Sequence, residues 1–297
     1  MSEKDFLLKV RLELEKRLGE DAHVKLQKVR KNNNVMYNGF IIQRKDSNIS
    51  PTIYMDTFYE MYERGERIER IVERILQVYQ NGTAKKPIDM SFFMNFAEVK
   101  DRIVYRIINV KRNKELLEEV PHILYLDLAI CFYYAFYNEE LGEGMIMIQN
   151  SHMDMWRTTH QELMKLATEN TPKLFPPVFI TLDTIIQNMH ETKEEEWLAA
   201  SGFYILTNRQ KCQGAASVLY PEILEHIAEK LDGNFYVIPS SIHEVILFKD
   251  QGREDWRYLQ EMIAEANSTQ LLEEDILSDY PYYYNQKDKK LSQIKVV

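Results

Sequence analysis

Two groups of side chains in this 297-residue chain have types and spacings that could do chemistry. The first is His152, Asp154 and His160, which offer the nitrogen and oxygen donors that hold a divalent metal. On one continuous helix, the eight-residue step from His152 to His160 separates them by about 12 Å, two turns. One ion could be shared only if the helix began between them, with His122, His190, His226 or Glu162 completing the set. The simpler reading makes His152 and Asp154 helix caps, with Trp156 packed beneath. The second group is the turn Ser240-Ser241 with His243 and Glu244. Serine, histidine and an acid suit nucleophilic catalysis when the imidazole reaches the hydroxyl. In an extended hairpin Ser241 and His243 fall on one side. However, serines at a proline turn usually bond their own backbone, and nothing in the sequence marks an oxyanion hole. Asn208, Arg209 and Lys211 end the neighbouring strand. The corner is therefore also read as a cleft for a polar ligand, bound by Asn208, Lys211, Ser240, Ser241, His243 and Glu244, with no residue assigned a catalytic role.

The chain contains no GxGxxG or GxxxxGK[ST] motif, and its 10 glycines are too few to suggest phosphate-cradling loops. GxSxG and HExxH are absent too. No cofactor is expected. The two cysteines, Cys131 and Cys212, stand far apart and outside any CxxC pair, so both read as free thiols in a reducing cytoplasm.

The elements that position these groups are legible from periodicity. Phe203–Leu206 is a short β-prone run. Leu219, Ile223, Leu224, Ile227, Ala228 and Leu231 then recur at helical spacing, with Pro221 in the first turn and Asp232-Gly233 at the end. Strands follow over Phe235–Ile238 and Val245–Phe248, divided by Pro239-Ser240-Ser241. Upstream, residues 3–18 read as a helix on Phe6, Val10 and Leu14. Val24–Val29 and Val35–Arg44 read as a hairpin around Asn32-Asn33-Asn34, residues that tolerate positive φ. Helical patterns run from Met55 to Asn81-Gly82, and Ala84–Ile88 reads as a linker. In the middle, Ile103–Val110, Ile123–Tyr137 and Met145–Ile148 are strands, and His152–Thr168 is a helix. Structure resumes over Phe179–Asn188 after the Phe175-Pro176-Pro177 break, and Glu191–Glu196 is a solvated acidic stretch. Asp255–Ala266 is a helix, and Ile276–Tyr284 is the last strand before a polar tail at Gln286–Lys290. The sum is α+β: mainly antiparallel sheets with packed helices, in two α+β halves. Residues 1–83 form a helix, hairpin and helix region, and residues 84–297 a larger domain.

Composition sets further bounds. At 45% hydrophobic and 28% charged residues the chain is globular. No run approaches the length that spans a bilayer, and the acid-rich start does not resemble a signal peptide. Residues 1–100 carry 18 basic and 15 acidic side chains; the rest carry 19 and 31. So acidic a remainder argues against nucleic acid as a partner. The basic group Lys25, Lys28, Arg30 and Lys31 alternates with apolar residues, as on a solvated strand face. Eighteen tyrosines, among them Tyr280, Tyr282, Tyr283 and Tyr284, suit either strands or an interface.

Three segments carry a resemblance. NSHMDMWRTTHQELMKLATENTPKLFPPVF, FYILTNRQKCQGAASVLYPEILEHIAEKLDGNFYVIPSSIHEVIL and EANSTQLLEEDILSDYPYYYN resemble the uncharacterised bacterial DUF5688 family, and the chain is distantly similar to DUF1444-type proteins. Neither resemblance implies an activity or catalytic residues. The leading expectation is a cytoplasmic, non-enzymatic protein that binds another protein or a small polar ligand. Its rival is a hydrolase or transferase, metal-dependent through His152, Asp154 and His160 or serine-type through Ser241 and His243. A homo-oligomer paired through an exposed strand is the third reading.

Overall fold

Ser2 starts the first helix, α1 (Glu3–Leu18), its hydroxyl accepting the Asp5 N–H. Phe6, Val10 and Leu14 recur along one face and are fully buried. Gly19, at φ +76°, ends the helix. This is a computed structural model, and it describes residues 1–44, 48–83, 87–139, 142–181, 202–252 and 255–294. The chain packs as two compact units: residues 1–31, 35–94 and 136–144 form one, and residues 32–34, 95–135 and 145–297 the other.

In the first unit, β1 (Ala22–Arg30), β2 (Met36–Arg44) and β3 (Thr52–Tyr54) form an antiparallel sheet in that order. Helices α2 (Asp56–Glu63) and α3 (Ile68–Gly82) complete it. Phe6, Val10 and Leu14 meet Val24, Phe40, Ile42 and Ile53 of the sheet, together with Ile71, Val72 and Ile75 of α3. Lys25, Lys28 and Arg30 are exposed, but not by alternation: Lys28 and Arg30 share a strand face with buried Val24, and residues 25–28 are all exposed. Asn33 and Asn34 adopt the expected positive φ, 58° and 60°. By its contacts the turn Asn32–Asn34 belongs to the second unit.

The second unit contains two antiparallel sheets. In one, β6 (Leu128–Asn138) lies between β4 (Ile103–Asn109) and β5 (His122–Tyr125), and also pairs β7 (Gly142–Met147), although the end of β6 and the start of β7, residues 136–144, count with the first unit. Val104, Ile108, Ala129 and Cys131 fill its core. In the other sheet the order is β13 (Lys290–Gln293), β12 (Tyr282–Asn285), β10 (Phe235–Ile238), β11 (Val245–Lys249), β9 (Phe203–Asn208) and β8 (Pro177–Thr181). Among the described residues its helices are α4 (Phe96–Val99), α5 (Lys114–Glu119), α6 (Asn150–Trp156), α7 (His160–Leu174), α8 (Ile223–Leu231) and α9 (Trp256–Thr269). Leu259 and Ile263 of α9 pack on Ile238 and Phe248. The fold class is α+β with antiparallel sheets, as expected.

Four expected boundaries change. Helix α8 begins at Ile223, and Leu219 lies in a separate 3₁₀ segment, Gly214–Leu219. Tyr220 is extended (φ −66°, ψ 141°), as a residue before proline tends to be, which separates the two helical stretches. The helix expected over His152–Thr168 is two helices, because Arg157 turns left-handed at φ 55°. The Gln286–Lys290 tail is the turn of a hairpin whose second strand is β13. Finally, the strand expected from Ile276 begins at Tyr282; Glu273–Asp275 is a 3₁₀ turn. Ala84–Lys86, most of Phe179–Asn188, and Glu191–Glu196 lie outside the described residues.

Candidate active site

The site grows from the end of β9. Asn208 is buried, and its side-chain amide grips the backbone of Cys212 twice: Nδ2 donates to the Cys212 carbonyl at 2.8 Å, and Oδ1 accepts the Cys212 N–H at 3.2 Å. The intervening turn needs positive φ at Lys211 (51°) and Gln213 (55°). It leaves Cys212 exposed. Gly214 follows under tight constraint. A Cβ there would lie 2.2 Å from Thr207 Oγ1 and 2.6 Å from both Asn208 N and the His243 carbonyl oxygen, so only glycine fits. Thr207 Oγ1 donates to the His243 carbonyl at 2.8 Å, and Ser217 Oγ donates to the Thr207 carbonyl at 3.1 Å. The strand end, the 3₁₀ segment and the loop before β11 are thereby locked together, and the lock holds the Cys212-Gln213 peptide beside the His243 ring.

The His243 ring has two hydrogen-bond partners. Nδ1 accepts the Gln213 N–H at 3.2 Å and Nε2 lies 3.2 Å from Asp275 Oδ1, with the Cys212 thiol near enough to influence the imidazole. Since Nε2 faces Asp275, Nδ1 is the nitrogen turned toward the Cys212-Gln213 peptide. Asp275 is firmly placed by its turn, where every carbonyl from residue 273 to 276 has a donor. Asn33 Nδ2 reaches Glu273 and Ile276, Asn32 Nδ2 reaches Glu274, and Ile242 N reaches Asp275. Asn33 is in turn fixed by Asn113, which accepts its N–H and donates to its Oδ1.

The electrostatics follow from this geometry. The hydrogen bond to His243 is the main influence pulling the Cys212 thiol below its ordinary value; burial opposes it and the Arg106 guanidinium adds to it. The same bond raises His243, against burial and with help from the Asp275 carboxylate. The pair therefore leans toward thiolate and imidazolium, the activated form of a nucleophilic cysteine. Cys131 is the opposite case, since burial pushes its thiol up to about 12. Cys212 lines a narrow cleft with Tyr105, Arg106, Phe175, Asn208 and Gln213.

The structure brings some of the expected site residues together and separates others. Asn208, Lys211 and His243 meet around Cys212, but Asn208 positions backbone and Lys211 is exposed. Ser241 is not the partner of the His243 ring: its Oγ accepts the His243 N–H at 3.0 Å, the local turn bond that serines at a proline turn favour. Glu244 gives its carbonyl to Ser241 N, and Ser240 is half-buried in the same turn. His152 and Asp154 lie on α6, whereas His160 opens α7. His152 forms a capping box with Gln149 and packs on Trp156, with ring centroids 5.7 Å apart. Among the described residues no three potential ligands converge as a metal site; His190 lies outside them. The tyrosine run is largely interior: Tyr282 and Tyr284 are 3% exposed, Tyr282 donates to Asp127 and Tyr283 to Asp250. Sequence reasoning passed over Cys212 and Asp275. The available signal was a cysteine in the polar turn NRQKCQG, outside any apolar run.

Fold and site together define an antiparallel α+β protein with a cysteine–histidine–aspartate cluster at one sheet end. The chain belongs to the DUF5688 family, a family of unknown function, whose profile matches residues 3–286. No curated protein and no solved structure matches it. No helix among the described residues is long and apolar enough to cross a membrane.

Proposed function

We propose that this protein is a thiol-dependent hydrolase or acyltransferase, with Cys212 as nucleophile, His243 as proton acceptor and donor, and Asp275 as the residue that orients the imidazole. The observation that carries this reading is the convergence of the three from separate segments, with Nε2 on the carboxylate and Nδ1 on the Gln213 N–H, the peptide next to Cys212. Neutral Nδ1 has one lone pair, which takes either the Gln213 N–H or the thiol proton. When the Cys212 proton moves to Nδ1, Sγ attacks a carbonyl carbon. A C–S bond forms and the carbonyl π pair moves to oxygen. The Gln213 N–H, released from Nδ1, is then free to donate to that oxygen. Collapse expels the leaving group, which takes the proton from Nδ1 and leaves a thioester on Cys212. Attack by water or another acceptor, deprotonated by His243, regenerates the thiol.

The competing reading, a non-enzymatic cytoplasmic module for a protein or polar ligand, is weakened by Asn208 and Ser241. Asn208 is spent on the Cys212 backbone and the Ser241 hydroxyl on the His243 N–H, leaving little polar surface for a ligand. A serine-type mechanism lacks a serine–imidazole contact, and the metal-dependent form lacks converging ligands among the described residues. Two free thiols suit a reducing compartment such as the cytoplasm.

The test is acylation of the full chain by p-nitrophenyl acetate, read by intact-mass and peptide mass spectrometry. An acetyl group on Cys212, lost in Cys212→Ser and slowed in His243→Gln, is expected. The absence of Cys212 acylation, with ordinary thiol reactivity, would overturn the proposal.

A further inference from the structure

Among the described residues Arg106 is the one cation lining the cleft beside Cys212. It sits in β4, where the other six residues are buried, and its guanidinium lies 4.9 Å from the Tyr133 ring centroid. Its Nε is buried without a hydrogen-bond partner, and among the described residues no carboxylate pairs with the side chain. A cation so placed is costly unless an anion joins it.

Resting on the reading of Cys212 as a nucleophile, we propose that the substrate carries a carboxylate next to its reacting carbon and that Arg106 holds it beside Sγ. Nε and a neighbouring Nη donate in parallel at a spacing that matches two carboxylate oxygens. A phosphate would bring more charge and a third oxygen, for which the described lining supplies no second cation. Arg106 also favours the thiolate, but that effect applies equally to every electrophile, whereas an anchor discriminates between charged and neutral ones.

Iodoacetate and iodoacetamide make this distinction. In both, Sγ forms a C–S bond to the CH₂ as the C–I bond breaks and iodide leaves, and only the carboxylate or carboxamide differs. The full-length chain is alkylated by each reagent, with modification at Cys212 read by peptide mass spectrometry. Relative to free cysteine, the iodoacetate-to-iodoacetamide rate ratio is expected to be about ten-fold higher, as one ion pair worth about 1.4 kcal/mol would give. Arg106→Gln should abolish the preference and Arg106→Lys retain part of it, with a urea midpoint confirming that each variant folds. The wild-type ratio alone is decisive if a variant fails to fold: a ratio equal to that of free cysteine overturns the Arg106 assignment. Slow alkylation by both reagents, no faster than free cysteine at neutral pH, instead overturns the nucleophile reading. A raised ratio that persists in Arg106→Gln also overturns the assignment.

Discussion

Replacing Gly214 by alanine tests whether the lock between β9 and the His243 loop is as tight as its distances imply. Ordinary contact begins near 3.4 Å, so a Cβ at 2.6 Å from Asn208 N and the His243 carbonyl oxygen forces both to recede by about 0.8 Å. Neither is the loose end of a side chain. Asn208 lies in a paired strand, and the His243 carbonyl is held by Thr207 Oγ1. Overpacking costs about 1–3 kcal/mol where neighbours can adjust, and two fixed backbone atoms put this site near 3 kcal/mol. With a urea m-value of about 2 kcal/mol/M, the midpoint should fall by about 1.5 M. In thermal unfolding the drop should be about 6–12 °C. Gly252→Ala is the control: Gly252 has φ +70° and no atom within 4 Å of the added Cβ, so only the left-handed strain of about 1 kcal/mol applies. Because the His243 carbonyl is one of the displaced atoms, Gly214→Ala should also slow iodoacetamide alkylation of Cys212. A Gly214→Ala protein with the wild-type urea midpoint and alkylation profile would refute the geometric reasoning.

Other expectations rest on the same elements. Asn208→Ala frees both backbone groups of Cys212; we expect a loss of about 1–2 kcal/mol in urea unfolding and slower alkylation. In His243→Gln the largest influence lowering the Cys212 thiol is gone, so the pH inflection of its alkylation should rise toward the ordinary value of about 8.5. The linkage signs also differ within the pair. Raised His243 favours the folded state below its ordinary value of about 6.5, an effect lost as pH climbs through the raised value. Lowered Cys212 favours it above about 8.5, an effect lost as pH falls through the lowered value. His243→Gln should accordingly flatten the urea midpoint as a function of pH. Asn33→Ala removes the side-chain bonds to Asn113, Glu273 and Ile276 and places alanine at φ 58°, with an expected cost of about 3 kcal/mol. Asn33→Gly should recover about 1 kcal/mol of that, because it relieves the backbone.

Much of the scaffold was legible because its signals are local. Short apolar, β-prone runs at Phe203–Leu206, Phe235–Ile238 and Val245–Phe248 marked three strands of one sheet, and Asn33 announced its own positive φ. Strand β13 escaped because it is an edge strand in which Leu291 alone is buried among polar residues, a pattern that reads as tail. The Tyr282–Tyr284 run gave its strand away but not its burial, which depends on β10 and β13 flanking it. For the site, His243 and Asn208 were visible as polar residues at strand ends. Their partners were not: His243 lies 31 residues after Cys212, and Asp275 another 32 further on. No periodicity links such positions; only the sheet order brings them together. Ser241, two residues away, offered the nearer and mistaken partner.

The donors on the turn at 273–276 bear on the order in which this protein acquires its chemistry. Two of them, Asn32 and Asn33, are made some 240 residues before the carbonyls they hold, and closing so long a loop costs about 5 kcal/mol in chain entropy. During synthesis, a chain grown to Leu247 already contains the thiol, the imidazole and most of their sheet, but not the carboxylate that orients the ring. The cysteine thus exists in the nascent polypeptide before the histidine ring has its carboxylate, and the cluster is complete only when the earliest-made asparagines capture one of the last-made turns.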